Sequence, residues 1–477
     1  MTTAGSAYRP RDEDLAQHLD PLPTNLGRRR PGPPITILDH GRPVVLVGPP
    51  GRLAPPAGSA RRRRLAAERQ PATTANDIRR GVEYALALKL PLVIILRSPR
   101  TGPHLGIDAL AEWGAAARAV ADCAGTVPVV MIADGVVVGD YALILGLAEL
   151  VIVTSDTLAY VSGPAAVHEL TGQDLDPSEL GGSGIHSRRT GVATLEAQDV
   201  ADAVSIASDV LSFLPDDADN EPPVEPCDDP LDRPTPELED LLPASETGSY
   251  DVRRVIESVA DYGEAVELRA GWAPQLVTSL IRIGGRPVGV IANQPQSMAG
   301  TLDIAASQKG ARFVSMCDVF NVPLLTLVDT PGFMPGKDLE WRGMIRKGAE
   351  LVYAYAEATV PRVCLVLRKA FGGAYIVMDS KGMGNDICLA WPDAQIAVMG
   401  AAGAVSILHR RESAETQAKL ADQYKLDMLN PYVAASRGFV DDVIDPAATR
   451  LVVGRSLDLL ASKREVLVGR KHGNGPL

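Results

Sequence analysis

Short apolar runs without polar interruptions recur along the chain, separated by stretches with an apolar residue every three or four positions. Leu92-Val93-Ile94-Ile95-Leu96 and Val127-Pro128-Val129-Val130-Met131-Ile132 are two such runs. Runs without alternation predict strands buried on both faces, and the helical period between them predicts covering helices. From residue 76 the pattern predicts a helix over 77–88, a strand over 92–96, a helix over 107–123, a strand over 127–132, a helical stretch after Gly139 and a strand over 150–153. The second half repeats the order. It predicts a strand over 288–292, a helix over 302–320, a strand over 324–328, a helix over 343–358 and a strand over 362–367. A helix opened by Gly372-Gly373, a strand over 396–400 and a charged helix over 414–429 follow. Each half therefore predicts a parallel sheet covered on both faces. The spacing from the 92–96 run to Gly139 resembles that from the 324–328 run to Gly372, which points to duplication of one α/β unit.

Two stretches lie outside this grammar. Residues 1–75 form an irregular Pro/Arg-rich arm, with Arg28-Arg29-Arg30, a run from Arg61 to Arg64, and one strand candidate at Pro43-Val44-Val45-Leu46-Val47-Gly48. Such basic clusters read as solvated arms, with a phosphate-binding role as the minority reading. Residues 215–249, rich in acid and proline, read as a linker. The domains expected are thus 76–240 and 250–477 behind the arm. This agrees with 477 residues at about 150 per domain, which gives two large domains or three smaller ones.

Composition narrows the class. Hydrophobic residues are 46% of the chain, enough for a large core, while aromatics are only 4%, so aliphatic side chains do the packing. The net charge of −12, much of it in 215–249, argues against a general nucleic-acid-binding protein. No apolar run reaches the ~18–20 residues of a membrane span, and the opening MTTAGSAYRPRDED lacks the apolar core of a secretory signal. The 5 cysteines are odd in number and none lies in a C-x-x-C, which predicts reduced thiols in a cytoplasmic protein with no metal site.

Three glycine-marked turns follow predicted strands in the second half. The first is Asp329-Thr330-Pro331-Gly332-Phe333-Met334-Pro335-Gly336, a rigid loop where α/β sheets place ligands. The second is Arg368-Lys369-Ala370-Phe371-Gly372-Gly373-Ala374-Tyr375. Paired glycines admit close approach of a ligand, and the N–H groups at a helix start are unpaired donors able to hold an oxyanion. The third is Met399-Gly400-Ala401-Ala402-Gly403-Ala404-Val405. Each also has a purely structural reading as a turn.

These blocks, with Tyr250-Asp251-Val252-Arg253, Ala311-Arg312-Phe313-Val314, Arg342 with Arg346-Lys347-Gly348-Ala349, and Trp391-Pro392-Asp393-Ala394, resemble the carboxyltransferase (β) subunits of biotin-dependent acyl-CoA carboxylases. The match is dense over residues 249–450. The resemblance implies two tandem crotonase-like α/β domains, a hexamer, and carboxyl transfer from carboxybiotin to an acyl thioester. In that chemistry carbon dioxide leaves a ureido anion, the anion takes the α-proton of the thioester, and the enolate attacks carbon dioxide. Two oxyanion holes are required and no metal. The resemblance places the biotin-side hole at Gly373 and Ala374, beside Gly372, Tyr375, Pro331, Gly332, Phe333, Gly400 and Ala401, and links Ile376 to acyl-chain selection. It places the thioester-side hole at Gly139 and Asp140, with the two holes supplied by different subunits.

The first half keeps Val161-Ser162-Gly163-Pro164, Thr171-Gly172, Leu180-Gly181-Gly182, His186 and Thr190-Gly191-Val192-Ala193. It departs at two places. The family's Ser-Gly-Gly-Ala-Arg stands here as Ser98-Pro99-Arg100-Thr101-Gly102, where Pro99 lacks an N–H. The family's Gly-Gly stands as Gly139-Asp140, which sets a carboxylate beside a developing enolate. A non-standard acceptor, such as a carrier-protein thioester, is one reading of this rebuilt side. The alternatives are a half-site or non-catalytic partner in a mixed hexamer with a paralogue, and a biotin-independent decarboxylase. His186 reads as a ligand contact or a structural histidine, and Asp329 as an electrostatic group or a turn cap. A biotinyl Met-Lys-Met motif is absent, so biotin is expected on a separate carrier charged by a biotin carboxylase.

Overall fold

The computed structural model describes residues 35–49, 72–99, 106–245 and 247–476. The arginine clusters at 28–30 and 61–64, and residues 100–102 of the Ser98–Gly102 stretch, lie outside the described residues.

The first half is built on a six-stranded sheet. Its strands are β1 (Ile35–Ile37), β2 (Pro43–Val47), β3 (Leu92–Leu96), β4 (Val129–Ala133), β6 (Leu150–Thr154) and β8 (Leu195–Ala197), in that spatial order. The strand candidate near Pro43 is realised and pairs parallel with β3, so this sheet begins before residue 76. Two short parallel strands, β5 (Val136–Val138) and β7 (Leu158–Tyr160), stand apart as a second layer. Helices Ala75–Leu88 and Gly106–Cys123 cover one face. The first of these starts where Thr74 and Asp77 form a capping box, each side chain satisfying the other's backbone N–H.

The second half is built on an eight-stranded sheet. Along it lie β9 (Ala265–Glu267), β10 (Leu276–Ile283), β11 (Arg286–Asn293), β12 (Leu324–Thr330), β13 (Arg362–Phe371), β14 (Ile387–Ala390) and β16 (Asp442–Val443), while β15 (Gln395–Ala397) pairs beside the end of β13. The all-parallel expectation is corrected at three places: β1 runs antiparallel to β2, and β9–β10–β11 form an antiparallel meander. The β10–β11 turn is Gly284-Gly285, both at positive φ, the conformation a tight hairpin requires. Asp261 accepts hydrogen bonds from both turn N–H groups, at 2.8 and 2.7 Å, and from Arg450 at 2.7 Å.

Alternation along each strand divides the core. Val93, Ile95, Val130 and Ile132 face one cluster shared with the second half, whereas Leu92, Ile94, Leu96, Val129 and Met131 face the helices of the first. The same division places Leu324, Val328, Cys364 and Val366 in the shared cluster and Leu325, Leu327, Val363 and Leu365 in a third. The two halves therefore share one apolar interior. Residues 215–245, expected to link, pack instead as a wall. Leu238 is buried, Arg233 pairs with Asp229, and Glu225 pairs with Arg282. Its acids bind both halves: Asp216 and Asp219 pair with Arg42 and Lys89 of the first, and Glu225 and Asp229 with Arg282 and Arg450 of the second.

Candidate active site

In the second half, three adjacent parallel strand ends gather the predicted loops. At the end of β13, Ala370 lies opposite Thr330 of β12 and Ile396 of β15. The loops bearing Pro331, Gly372 and Gly400 therefore leave the sheet side by side. The pairing of β12 with β13 jumps from Val328–Val366 to Thr330–Ala370, so β13 carries two extra residues there. Such a bulge re-aims a strand end.

A buried ion pair holds this bulge. Asp329, 1% exposed, accepts from Arg368 Nε at 3.0 Å and from the Lys369 N–H at 3.1 Å. Arg368 also donates to the Gly248 carbonyl at 2.9 Å and lies over the Tyr250 ring. Burial raises the Asp329 carboxyl above the usual range, and Arg368 opposes that shift. The geometry makes Asp329 a structural anchor of the loop. It also explains why β13 runs past residue 367: the Arg368 charge is paired inside the fold, and the Lys369 N–H is held by the same carboxylate.

The helix Gly372–Val377 starts directly from β13. Gly372 sits at φ 59°, and a Cβ there would come within 3.1 Å of the Val398 carbonyl. The N–H groups of Gly373 and Ala374 lie in the first turn and take no partner among the described residues. The Phe333 ring lies within van der Waals reach of both Gly373 and Gly348, each 3.7 Å from a Cβ built on the glycine. Hydrogen bonds between Leu302 and the backbone of Gly332 and Met334 pin the Phe333 loop. Gly400 caps the helix Ala401–Leu408 and meets the Phe371 ring. Ala374, Tyr375 and Ala401 are buried, while Ile376 is 45% exposed and borders the open side.

In the first half, the predicted residues gather around β7. The Gly139 N–H donates to the Tyr160 carbonyl at 2.9 Å. Gly163, which precedes Pro164 at the start of helix Pro164–Thr171, stands against the Tyr160 ring. Gly182 bridges to Leu158, and Gly181 fits because a Cβ there would strike the Ala159 carbonyl. His186 places Nε2 2.8 Å from the Ala159 carbonyl and Nδ1 2.9 Å from Thr190 Oγ1. Both ring nitrogens are thus committed inside the chain, which is the structural reading of this histidine. Asp140 opens the helix Asp140–Ile144 with its carboxylate exposed, and its carbonyl accepts from Trp113 Nε1 at 2.7 Å. Because Gly139 is engaged with Tyr160 and Ala142 with Gly139, the free donors at this turn among the described residues are the N–H groups of Asp140 and Tyr141. Ser98 joins β5 through the Val138 N–H at 2.8 Å. No hydrogen bond between described residues joins this cluster to the Gly373 cluster.

Among the buried charges that sequence reasoning missed are Lys309 and Asp379. Lys309 is 1% exposed in helix Ile304–Val319, where its ammonium donates to the carbonyls of Arg269, Trp272 and Ala273. Burial pushes it down to about 7. Asp379 pairs with Arg362 at 2.7 Å beneath the Gly372 helix, and burial pushes its carboxyl up to about 7. A lysine among the apolar positions of that helix was the one available signal.

A family model described as "Carboxyl transferase domain" matches residues 63–475. The propionyl-CoA carboxylase beta chain of Saccharopolyspora erythraea is 43% identical over 415 residues, covering 83% of this chain and 76% of that protein. The methylmalonyl-CoA carboxyltransferase 12S subunit of Propionibacterium freudenreichii is 41% identical, covering 85% and 78%. Among solved structures, the transcarboxylase 12S hexamer with hydrolysed methylmalonyl-coenzyme A bound is similar at a TM-score of 0.82 and 40% identity, covering 84% of this chain and 79% of that one. The fold class is the crotonase-like α/β one.

Proposed function

This chain belongs to the carboxyl transferase family and is a carboxyltransferase acting between biotin and acyl-CoA, and from that premise we propose how its two halves divide the reaction. The observation that carries the proposal is the pair of unpartnered N–H groups at Gly373 and Ala374, set at a strand end behind the Phe333 wall. Residues 250–477 form the biotin side. The Gly373 and Ala374 donors hold the ureido oxygen of biotin, brought on a separate carrier charged by a biotin carboxylase. Bound there, biotin supplies the carboxyl group and a site for the α-proton of the acceptor. Phe333 and Tyr375 exclude water, and Ile376 meets the acyl chain. Residues 76–240 form the acyl side, where the Asp140 N–H faces the thioester oxygen.

Donors aimed at a developing oxyanion contribute about 2.7–4 kcal/mol each. The first half sets an exposed carboxylate beside such N–H groups, so its acceptor is not an ordinary short acyl-CoA but a thioester bearing a donor or positive group toward Asp140. A second reading is favoured by the same observation: a half-site subunit that lends its second half to a paralogue in a mixed hexamer.

The test is carboxylation by the purified oligomer with a biotin carboxylase, a biotinylated carrier, labelled bicarbonate and a panel of acyl-CoAs and acyl-carrier thioesters. Acid-stable label supports the transfer reading. Silence with every acceptor, relieved by adding a paralogous β subunit, would replace it with the half-site reading.

A further inference from the structure

The cleft where the two halves meet carries positive charge that neither oxyanion-hole turn includes. It encloses about 490 Å³ and is lined by Gly191 of the first half and by Arg269, Trp272, Lys309, Arg312 and Tyr353 of the second. Arg269 Nε donates to the Gly191 carbonyl at 3.0 Å, and Arg312 Nη2 to the Ala148 carbonyl at 2.8 Å. Lys309 faces three carbonyls. None of these contacts is to a carboxylate. The acids nearby have partners of their own. Glu350, also on the cleft wall, pairs with Lys347 at 2.7 Å, and Glu267 pairs with Arg253 at 2.7 Å. Glu149, in the field of Arg312, accepts from the Val129 N–H at 2.9 Å. Burial lowers the Arg269 guanidinium to about 10, and Arg312 adds to that shift. The Tyr353 hydroxyl is buried without a partner.

Arg269 and Lys309 are desolvated cations without counter-ions, which is costly, and an anion arriving beside them and the exposed Arg312 relieves that cost. Guanidinium forks match the oxygens of a phosphoryl group. We propose that this cleft binds a small ligand bearing a phosphoryl group. The unpartnered N–H groups of Arg269 and Arg312 and the Tyr353 hydroxyl make the contacts. Lys309, its three N–H groups already engaged, adds field only. The Trp272 ring, packed on Gly191, offers a flat wall for the rest of the ligand. Since Arg269 and Arg312 are each anchored on a first-half carbonyl, the ligand clamps the two halves together. The phosphoryl group has two sources, a free phosphate-type anion or the nucleotide end of a coenzyme-A-type molecule.

Calorimetry on the full chain in phosphate-free buffer tests this with two probes, inorganic pyrophosphate and adenosine 3′,5′-bisphosphate. Saturable binding of either is expected. Arg312→Gln, on the surface, weakens it about tenfold, equal to about 1.4 kcal/mol. Arg269→Gln does the same where it folds, and Tyr353→Phe weakens it less. Pyrophosphate alone binding assigns the cleft to a free anion; bisphosphate alone binding assigns it to a nucleotide end. No saturable binding of either by about 10 mM, or equal binding in Arg312→Gln, overturns the proposal. Binding is read without turnover, so the result is independent of whether carboxyl transfer is observed.

Discussion

Asp329 Oδ2 accepts a hydrogen bond from Arg368 Nε at 3.0 Å, tying β12 to β13 where both strands give way to loops of the candidate site. The same arginine reaches Gly248, which lies 120 residues away in sequence. The pair is therefore a joint between three chain segments. Leaving one partner of a buried pair alone typically costs about 3–5 kcal/mol. Asp329→Ala should lower stability by that amount in urea unfolding and also slow carboxyl transfer. A loss below about 1 kcal/mol would mean that the pair is not the joint described.

Ala374→Pro removes one proposed donor, at a first-turn position whose N–H bonds no earlier carbonyl. In a variant whose helical content and melting temperature stay near wild type, kcat should fall about 10²- to 10³-fold. An unchanged kcat would remove Ala374 from the biotin-side hole.

Asp140→Gly restores a glycine pair at the first-half turn and removes a charge from it. A like charge near a developing enolate costs about 1 kcal/mol in bulk water and more in a closed site. Asp140→Gly and Asp140→Asn should both raise kcat/KM for propionyl-CoA by at least about fivefold. If the natural acceptor uses the carboxylate, both should lower kcat/KM for that acceptor. Indifference of every acceptor to both substitutions would place Asp140 away from the reaction.

Two buried groups give stability a pH dependence of opposite sign. Asp379 titrates at about 7 in the fold and near 3.8 unfolded, because burial disfavours its charge. Between these values the folded state binds more protons, so stability falls as pH rises from about 4 to about 7. Lys309 titrates at about 7 in the fold and near 10.5 unfolded, for the same reason. There the unfolded state binds more protons, so stability rises from about 7 to about 10.5. These two groups together produce a minimum near neutrality. In chemical denaturation across pH, Asp379→Asn should flatten the acid limb and Lys309→Met the alkaline limb. A substitution that leaves its limb unchanged would refute the assignment for that group.

Much of this was legible in the sequence because burial on both faces leaves unbroken apolar runs. The strands around Leu92, Val129, Leu324 and Arg362 fall where periodicity places them. The β10–β11 hairpin was half legible, its second strand read and its first missed. The glycine loops were legible for a different reason, since Gly372 sits at positive φ and a Cβ at Gly181 would strike the Ala159 carbonyl. What sequence could not supply was the partner of each charge. Arg368, Asp229 and Glu225 look like solvent-facing residues until the fold brings Asp329, Arg450 and Arg282 to them. His186 shows the converse: a plausible ligand until both nitrogens are found occupied.

The two candidate holes share no hydrogen bond within one chain, and large apolar side chains stand exposed in both halves. Ile107 is 74% and Leu170 86% exposed in the first, and Trp341 is 78% and Ile345 84% exposed in the second. The relative of known structure is a hexamer. If one copy's Gly373 turn meets its neighbour's Asp140 turn, every site needs two chains. Asp140→Pro, which removes a free N–H of the first-half turn, and Ala374→Pro should then each cut transfer about 10²- to 10³-fold alone. Co-expressed and purified as mixed oligomers, they should recover part of the activity, since some interfaces pair an intact first half with an intact second half. Mixed oligomers that stay as silent as either parent would mean that each site is completed within one chain.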